Sequence, residues 1–171
     1  MQRKLLPTLI LPILLILLLP ALPVAADDDN GDHADDHEHG EDHHSPFAGM
    51  PLIMLMHNMQ YNAHKLGLAI DAGNAELQHF YGHELEEVIE AVGEIEDYDG
   101  IAIAAHLDKT LKPAFEALET SLDSGDAAKI DTAYGNLLGA CNGCHRSAER
   151  AVIVIQRNRD NPYPQDFSPR D

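Results

Sequence analysis

From Ser45 onward, apolar residues recur every three to four positions, the period of helices that each bury one face. A first segment, about Met50 to Ala72, places Leu52, Leu55 or Met56, Met59, Ala63, Leu66 and Ile70 on one side, and Gly73-Asn74 is a turn signal that stops it. A second, about Ala75 to Glu96, carries Leu77, Tyr81, Leu85, Val88, Val92 and Ile95 and ends at Tyr98-Asp99-Gly100. A third, about Ile103 to Leu122, uses Leu107, Leu111, Phe115, Leu118 and Leu122; Pro113 inside it predicts a kink or a break.

The fourth segment follows Ser124-Gly125, with Asp126 as its expected N-cap. Its apolar stripe runs through Ile130, Tyr134, Leu137, Cys141, Cys144, Ala148, Val152 and Ile155. The β-branched run Val152-Ile153-Val154-Ile155 would also suit a strand, so the end of this helix is not marked by pattern alone. Asn161-Pro162, Pro164 and Pro169 make residues 161–171 an extended Pro-rich tail. Four amphipathic segments joined by short loops predict an all-α protein, an antiparallel four-helix bundle over residues 49–160.

The region before the helices reads differently. Arg3 and Lys4, the apolar stretch Leu5 to Leu19 and the small residues Val24-Ala25-Ala26 form an export signal cleaved after Ala26. The uncharged run Leu5 to Ala26 is also long enough for a membrane anchor, but Pro7, Pro12, Pro20 and Pro23 argue against one, so no stable span is expected after cleavage. Residues 27–48 form an acidic, His-rich segment: Asp27 to His44 hold nine acids and the five histidines His33, His37, His39, His43 and His44, with no Lys or Arg. With almost nothing apolar to bury it should be disordered. It serves either as a solubilising tail or as a weak, multi-site trap for divalent metal ions.

Charge narrows the partners. Asp and Glu number 29 against 11 Lys and Arg, a formal charge of −18, which excludes nucleic acid and anionic membrane surfaces. An acidic surface favours a positively charged docking face on a partner protein and a salt-sensitive encounter. The four arginines Arg146, Arg150, Arg157 and Arg159 lie in or just beyond the fourth segment, where they suit a helix C-terminus. Arg146 or Arg150 could also pair a propionate.

The chemistry is concentrated in Cys141-Asn142-Gly143-Cys144-His145, the C-x-x-C-H pattern of covalent haem attachment. Thiols at i and i+3 face the same way on a helix, so both can add to the two vinyl groups of one porphyrin edge. The following histidine can then ligate the iron. The expected cofactor is therefore one haem c, tethered by Cys141 and Cys144 and held at its iron by His145. A thioredoxin-like dithiol would need a βαβ setting, and a two-cysteine zinc site lacks its second pair. No nucleophile-and-base pair stands out, so an enzyme is not expected. His79 and His83 lie one turn apart with Glu87 beyond, but without the paired Glu-x-x-His of a di-iron bundle they read as surface residues.

A haem motif in the last helix of a four-helix bundle resembles the cytochrome c-prime class, also called class II cytochromes c. The likeness covers about Met50 to Arg150 and is densest from Leu111-Lys112-Pro113-Ala114-Phe115 to Gly139-Ala140-Cys141-Asn142-Gly143-Cys144-His145. The chain also looks like a group of exported single-haem proteins through His64-Lys65-Leu66, Gly73-Asn74, Glu84-Leu85-Glu86-Glu87 and the Ala-Cys-Asn-x-Cys-His core. A fourth segment that continues past the haem and a Pro-rich end depart from the c-prime pattern. The resemblance implies a periplasmic electron carrier and a homodimer formed through the first two helices.

The sixth haem position divides the functional readings. Counting back at equal helical rise puts the level facing His145 near Ile53. Met56, on the apolar stripe, would give a His/Met haem, although a methionine at that spacing also serves simply as core. His57, one position round the helix, would give a bis-His haem. Leu52 over the iron would leave the site open to NO or CO. His64 lies too far along the helix. One-electron transfer is the first expectation, gas capture at a five-coordinate haem the second, and divalent-metal handling by the Asp/His segment the third.

Overall fold

The structure, a computed structural model, describes residues 46–170. The expected leader and the acidic, His-rich stretch up to 45 lie outside the described residues. Four helices follow one another: α1 (Leu52–Ala72), α2 (Ala75–Gly93), α3 (Ile103–Ser124) and α4 (Ala127–Ser147). Among the described residues there is no strand beyond one isolated bridge, Tyr98 with Ile101, and no helix is long and apolar enough to cross a membrane.

Local chemistry sets the boundaries. At the end of α1, Gly73 takes the left-handed conformation (φ 68°), so its N–H reaches Ile70 O and that of Asn74 reaches Ala69 O, a Schellman ending that only glycine adopts without strain. Asn74 then caps α2, its Oδ1 accepting from Leu77 N at 3.1 Å. Asp126 caps α4 as expected, accepting from Ala128 N at 3.1 Å and Lys129 N at 3.2 Å. Helix α2 stops at Gly93, short of the expected Glu96. The link to α3 is closed by a turn in which Asp99 and Gly100 both take positive φ (54° and 80°). Helix α3 runs unbroken across Pro113 rather than breaking there. Pro113 withholds an N–H from the Lys109 carbonyl, but both residues are exposed, so water can satisfy that carbonyl at little cost.

The core is aliphatic. Leu66, Leu85, Val88, Val92, Leu107, Leu118 and Leu137 are all but inaccessible, joined by Leu55 and Tyr134. All five expected core positions of α3 are buried. In α1 it is Leu55, not Met56, that takes the inner position; Met56 and Leu52 are half-buried and packed against the core. Helix α1 contacts α2, α2 contacts α3, α3 contacts α4, and α1 closes on α4. The α1–α2 seam carries buried amides, each satisfied: Asn62 Nδ2 donates to Glu84 O at 3.2 Å and Gln78 Nε2 to Ala69 O at 3.3 Å.

The chain after α4 departs most from expectation. The helix ends at Ser147, not beyond Val152. Glu149 adopts the left-handed conformation (φ 57°), with Glu149 N bonded to Arg146 O at 3.2 Å and Arg150 N to His145 O at 2.7 Å. This is the same Schellman reversal that ends α1, made here without glycine. It sends residues 150–158 back along α4 as an extended strap. Val152 is 91% exposed, whereas Ile155 packs on the core.

The strap then crosses α1 and runs toward α2. Arg157 bridges Asp131 of α4 (Nη1 to Oδ1 2.5 Å) and Asp71 of α1, and its guanidinium lies 5.1 Å from the Tyr134 ring centroid. Arg159 also pairs Asp71. Beyond it, Phe167 is buried, and the Phe167 and Ser168 carbonyls accept from Asn74 Nδ2 at 3.2 and 3.1 Å. The Pro-rich end is not helical, and it packs onto the bundle through Phe167.

Candidate functional site

Cys141, Cys144 and His145 all lie in the last two turns of α4, half-buried. Both cysteines are free thiols. Cys141 packs against the core, and burial, with the neighbouring Cys144, pushes its pKa up to about 12. Burial also raises Cys144, although a hydrogen bond with Thr110 of α3 works the other way. Both thiols are therefore protonated at neutral pH, the reverse of a redox-active dithiol, whose attacking cysteine needs a lowered pKa.

His145 is oriented by the strap. Its Nδ1 lies 3.0 Å from Ile153 O. A carbonyl only accepts, so the ring carries its proton on Nδ1 in this bond and Nε2 keeps its lone pair. Among the described residues Nε2 has no hydrogen-bond partner. This is the arrangement of a metal-binding histidine, which gives its second ring N–H to a carbonyl or carboxylate. One residue after the first cysteine, Asn142 bonds Ile155 twice: Oδ1 accepts from Ile155 N at 2.7 Å and Nδ2 donates to Ile155 O at 2.7 Å.

Among the described residues no three His, Cys, Asp or Glu side chains converge as a metal cage. The donor set does fit a covalently held haem. Two protonated thiols sit at i and i+3 beside apolar packing, and the next residue is a histidine with a free, oriented Nε2. Arg146, next to His145, and Arg150, beyond the end of α4, are both exposed.

A cleft of about 370 Å³ opens along the seam between α1, α4 and the strap. Its walls include His57, Tyr61 and His64 from α1, Tyr134 and Leu138 from α4, Ile155 from the strap and Tyr163 from the Pro-rich tail. His57 is exposed within it; Met56 does not line it. His64 has both ring nitrogens engaged, Nδ1 with Tyr163 Oη at 3.0 Å and Nε2 with Asp160 O at 3.1 Å, so it fastens the tail. His79 and His83 are exposed, and His83 pairs with Glu86 and Glu87.

Sequence reasoning passed over three residues of this region. Asn142 is an unassigned position of the motif, Glu149 lies within the span expected to be helical, and Lys65 enters the sequence reading only through the resemblance. The Asn142 signal was available in principle, since an amide one residue after a half-buried cysteine needs a partner, but nothing pointed to a residue 13 positions ahead. Comparison with family models, with characterised proteins and with solved structures returns no match for this chain.

Proposed function

We propose that this chain is an exported, periplasmic single-haem c-type cytochrome that carries one electron at a time between protein partners, on an antiparallel four-helix bundle resembling the class II cytochromes c. Cys141 and Cys144 would hold the haem through thioethers, and His145 would hold its iron through Nε2. When bound, the group supplies a reversible one-electron couple. The observation that carries the reading is the Nδ1 contact of His145 with Ile153 O at 3.0 Å, next to Cys144. It selects the tautomer that a proximal ligand requires.

The rest of the chain is consistent with that role. Helices of 19 to 22 residues joined by two-residue links at Gly73-Asn74 and Gly125-Asp126 favour antiparallel neighbours. The half-buried thiols would keep one edge of the group out of water, and the acidic surface would select a partner with a positive docking face. Met56 and His57 are the residues proposed to close the sixth position. With Leu52 there instead, the same protein would bind NO or CO.

The test is an absorption spectrum of the mature protein, oxidised, reduced and reduced with CO, alongside a denaturing gel stained for haem. The expected result is a covalent, low-spin haem indifferent to CO, with Met56→Ala and His57→Ala identifying the ligand. A high-spin iron whose Soret band moves with CO would replace electron transfer by gas capture. A mature protein without covalent haem overturns the proposal.

A further inference from the structure

The Asn142 side chain gives Ile155 the pair of bonds that a neighbouring strand would give it, with its amide oxygen on the N–H and its amide nitrogen on the carbonyl, both at 2.7 Å. Both polar groups of one peptide residue are thus fixed to one side chain on α4. Ile155 lies two residues from Ile153, whose carbonyl accepts from His145 Nδ1. On the other side, Ile153 N bonds Arg150 O at 2.9 Å, just after the reversal at Glu149. The Ile153 carbonyl is therefore held between two anchors.

Side-chain packing contributes little to its placement. Val152, Ile153 and Val154 are 91%, 47% and 67% exposed, so hydrogen bonding at the two ends sets where the carbonyl points. Removing the Asn142 end leaves a segment tied only at its turn.

We propose that Asn142 is a positioning residue for the proximal ligand: by gripping Ile155 it holds the Ile153 carbonyl on His145 Nδ1, which fixes both the tautomer and the donor strength of Nε2. The geometry stands by itself, while the functional meaning rests on the haem reading above. A carbonyl accepting from Nδ1–H pushes electron density toward Nε2 and favours the oxidised iron. Losing it should favour the reduced form.

The experiment uses the full chain with and without haem, as wild type, Asn142→Ala and Asn142→Asp. In the haem-free protein, nitrogen-15 NMR of labelled histidine reads the tautomer of His145 directly. The wild type should carry its proton on Nδ1, Asn142→Ala should move toward the Nε2–H form, and Asn142→Asp, which keeps the acceptor for Ile155 N, should fall between. In the loaded protein the reduction potential of Asn142→Ala should rise by about 59 mV, a tenfold change in the one-electron equilibrium. Circular dichroism and unfolding midpoints establish that each variant compared is folded, because unfolding would also release the His145 ring from the Ile153 carbonyl. An unchanged tautomer or an unchanged potential in folded Asn142→Ala overturns the proposal. Failure of the wild type to take haem overturns the haem reading alone, because the tautomer is measured without it.

Discussion

Lys65 Nζ donates to Gln165 Oε1 at 2.9 Å, joining α1 to the end of the chain across 100 residues of sequence. The lysine is only 9% exposed. Its ammonium lies 4.6, 5.2 and 4.9 Å from the ring centroids of Tyr61, Tyr81 and Tyr163, and donates to Tyr81 Oη at 3.3 Å. Burial acts to lower its pKa, but the hydroxyls of Tyr61 and Tyr81 outweigh it and the net shift is upward. A cation whose folded pKa is raised contributes stability below its unfolded value, about 10.4, and loses it as pH climbs through the folded one. The tail is thus pinned throughout the neutral range.

Lys65→Met keeps the aliphatic stem and removes the charge. With a charge-assisted bond and the cation–π contacts gone, unfolding in urea should show a loss of about 2 kcal/mol. Trypsin should cut after Arg157 and Arg159 faster than in the wild type. Unchanged midpoints and cleavage would show that the tail is held without the lysine.

At Gly67, α1 lies directly against the Tyr134 ring of α4. A Cβ there would stand 2.4 Å from Tyr134 Oη and 2.8 Å from its Cζ, in a place where the ring is buried and its hydroxyl donates to Ala63 O at 2.8 Å. Burial pushes the Tyr134 pKa up to about 12, so the hydroxyl stays a donor across the accessible range. Gly67→Ala should therefore cost about 1–3 kcal/mol through overpacking, despite the better helix propensity of alanine. Tyr134→Phe alone should cost about 1 kcal/mol for the lost bond. Combined with Gly67→Ala it should cost less than the sum, since the nearest clashing atom is gone. A thermal-unfolding double-mutant cycle with no coupling would refute that packing.

These tail and seam contacts explain what could be read from the sequence and what could not. Helical period placed Leu107, Leu111, Phe115, Leu118 and Leu122 inside because a 3.6-residue repeat is a local property. Glycine marked the turn after α1 and aspartate the start of α4 for the same reason. The spacing of Cys141, Cys144 and His145 is likewise local, and the structure sets all three in the last two turns of α4. The end of α4 was not visible, since its reversal uses Glu149, a residue with no preference for positive φ, and Ala148 and Ile155 bury on the same side as a continuing helix would. Lys65 and Asn142 were opaque for a different reason. Each is satisfied by residues brought back by the tail, and no local pattern encodes a partner 13 or 100 positions away.

The Glu149 reversal carries its own prediction. A left-handed conformation costs an L-residue about 1–2 kcal/mol, part of which glycine regains and part of which it loses to its greater freedom when unfolded. Glu149→Gly should stabilise the protein by about 0.5–1 kcal/mol in thermal unfolding. The His145 tautomer should not change, because the turn it completes is the same. Destabilisation would mean that the Glu149 side chain contributes something its exposed position does not suggest.

Glu119 gives the pH dependence. Half-buried on α3, it has its pKa raised first by burial and then by the charges of Glu86, Asp123, Glu116 and Glu90. An acid that binds its proton more tightly when folded favours the folded state as pH falls, and works against it once ionised above the raised value. At pH 7 the ionised carboxylate is therefore destabilising. Glu119→Gln should raise the urea midpoint at pH 7, with the difference from wild type shrinking on acidification toward the unfolded pKa, about 4.3. Added salt should narrow the same difference, because the four neighbouring carboxylates are screened, while the burial component persists. A variant whose advantage is independent of pH would assign the effect to packing rather than to charge.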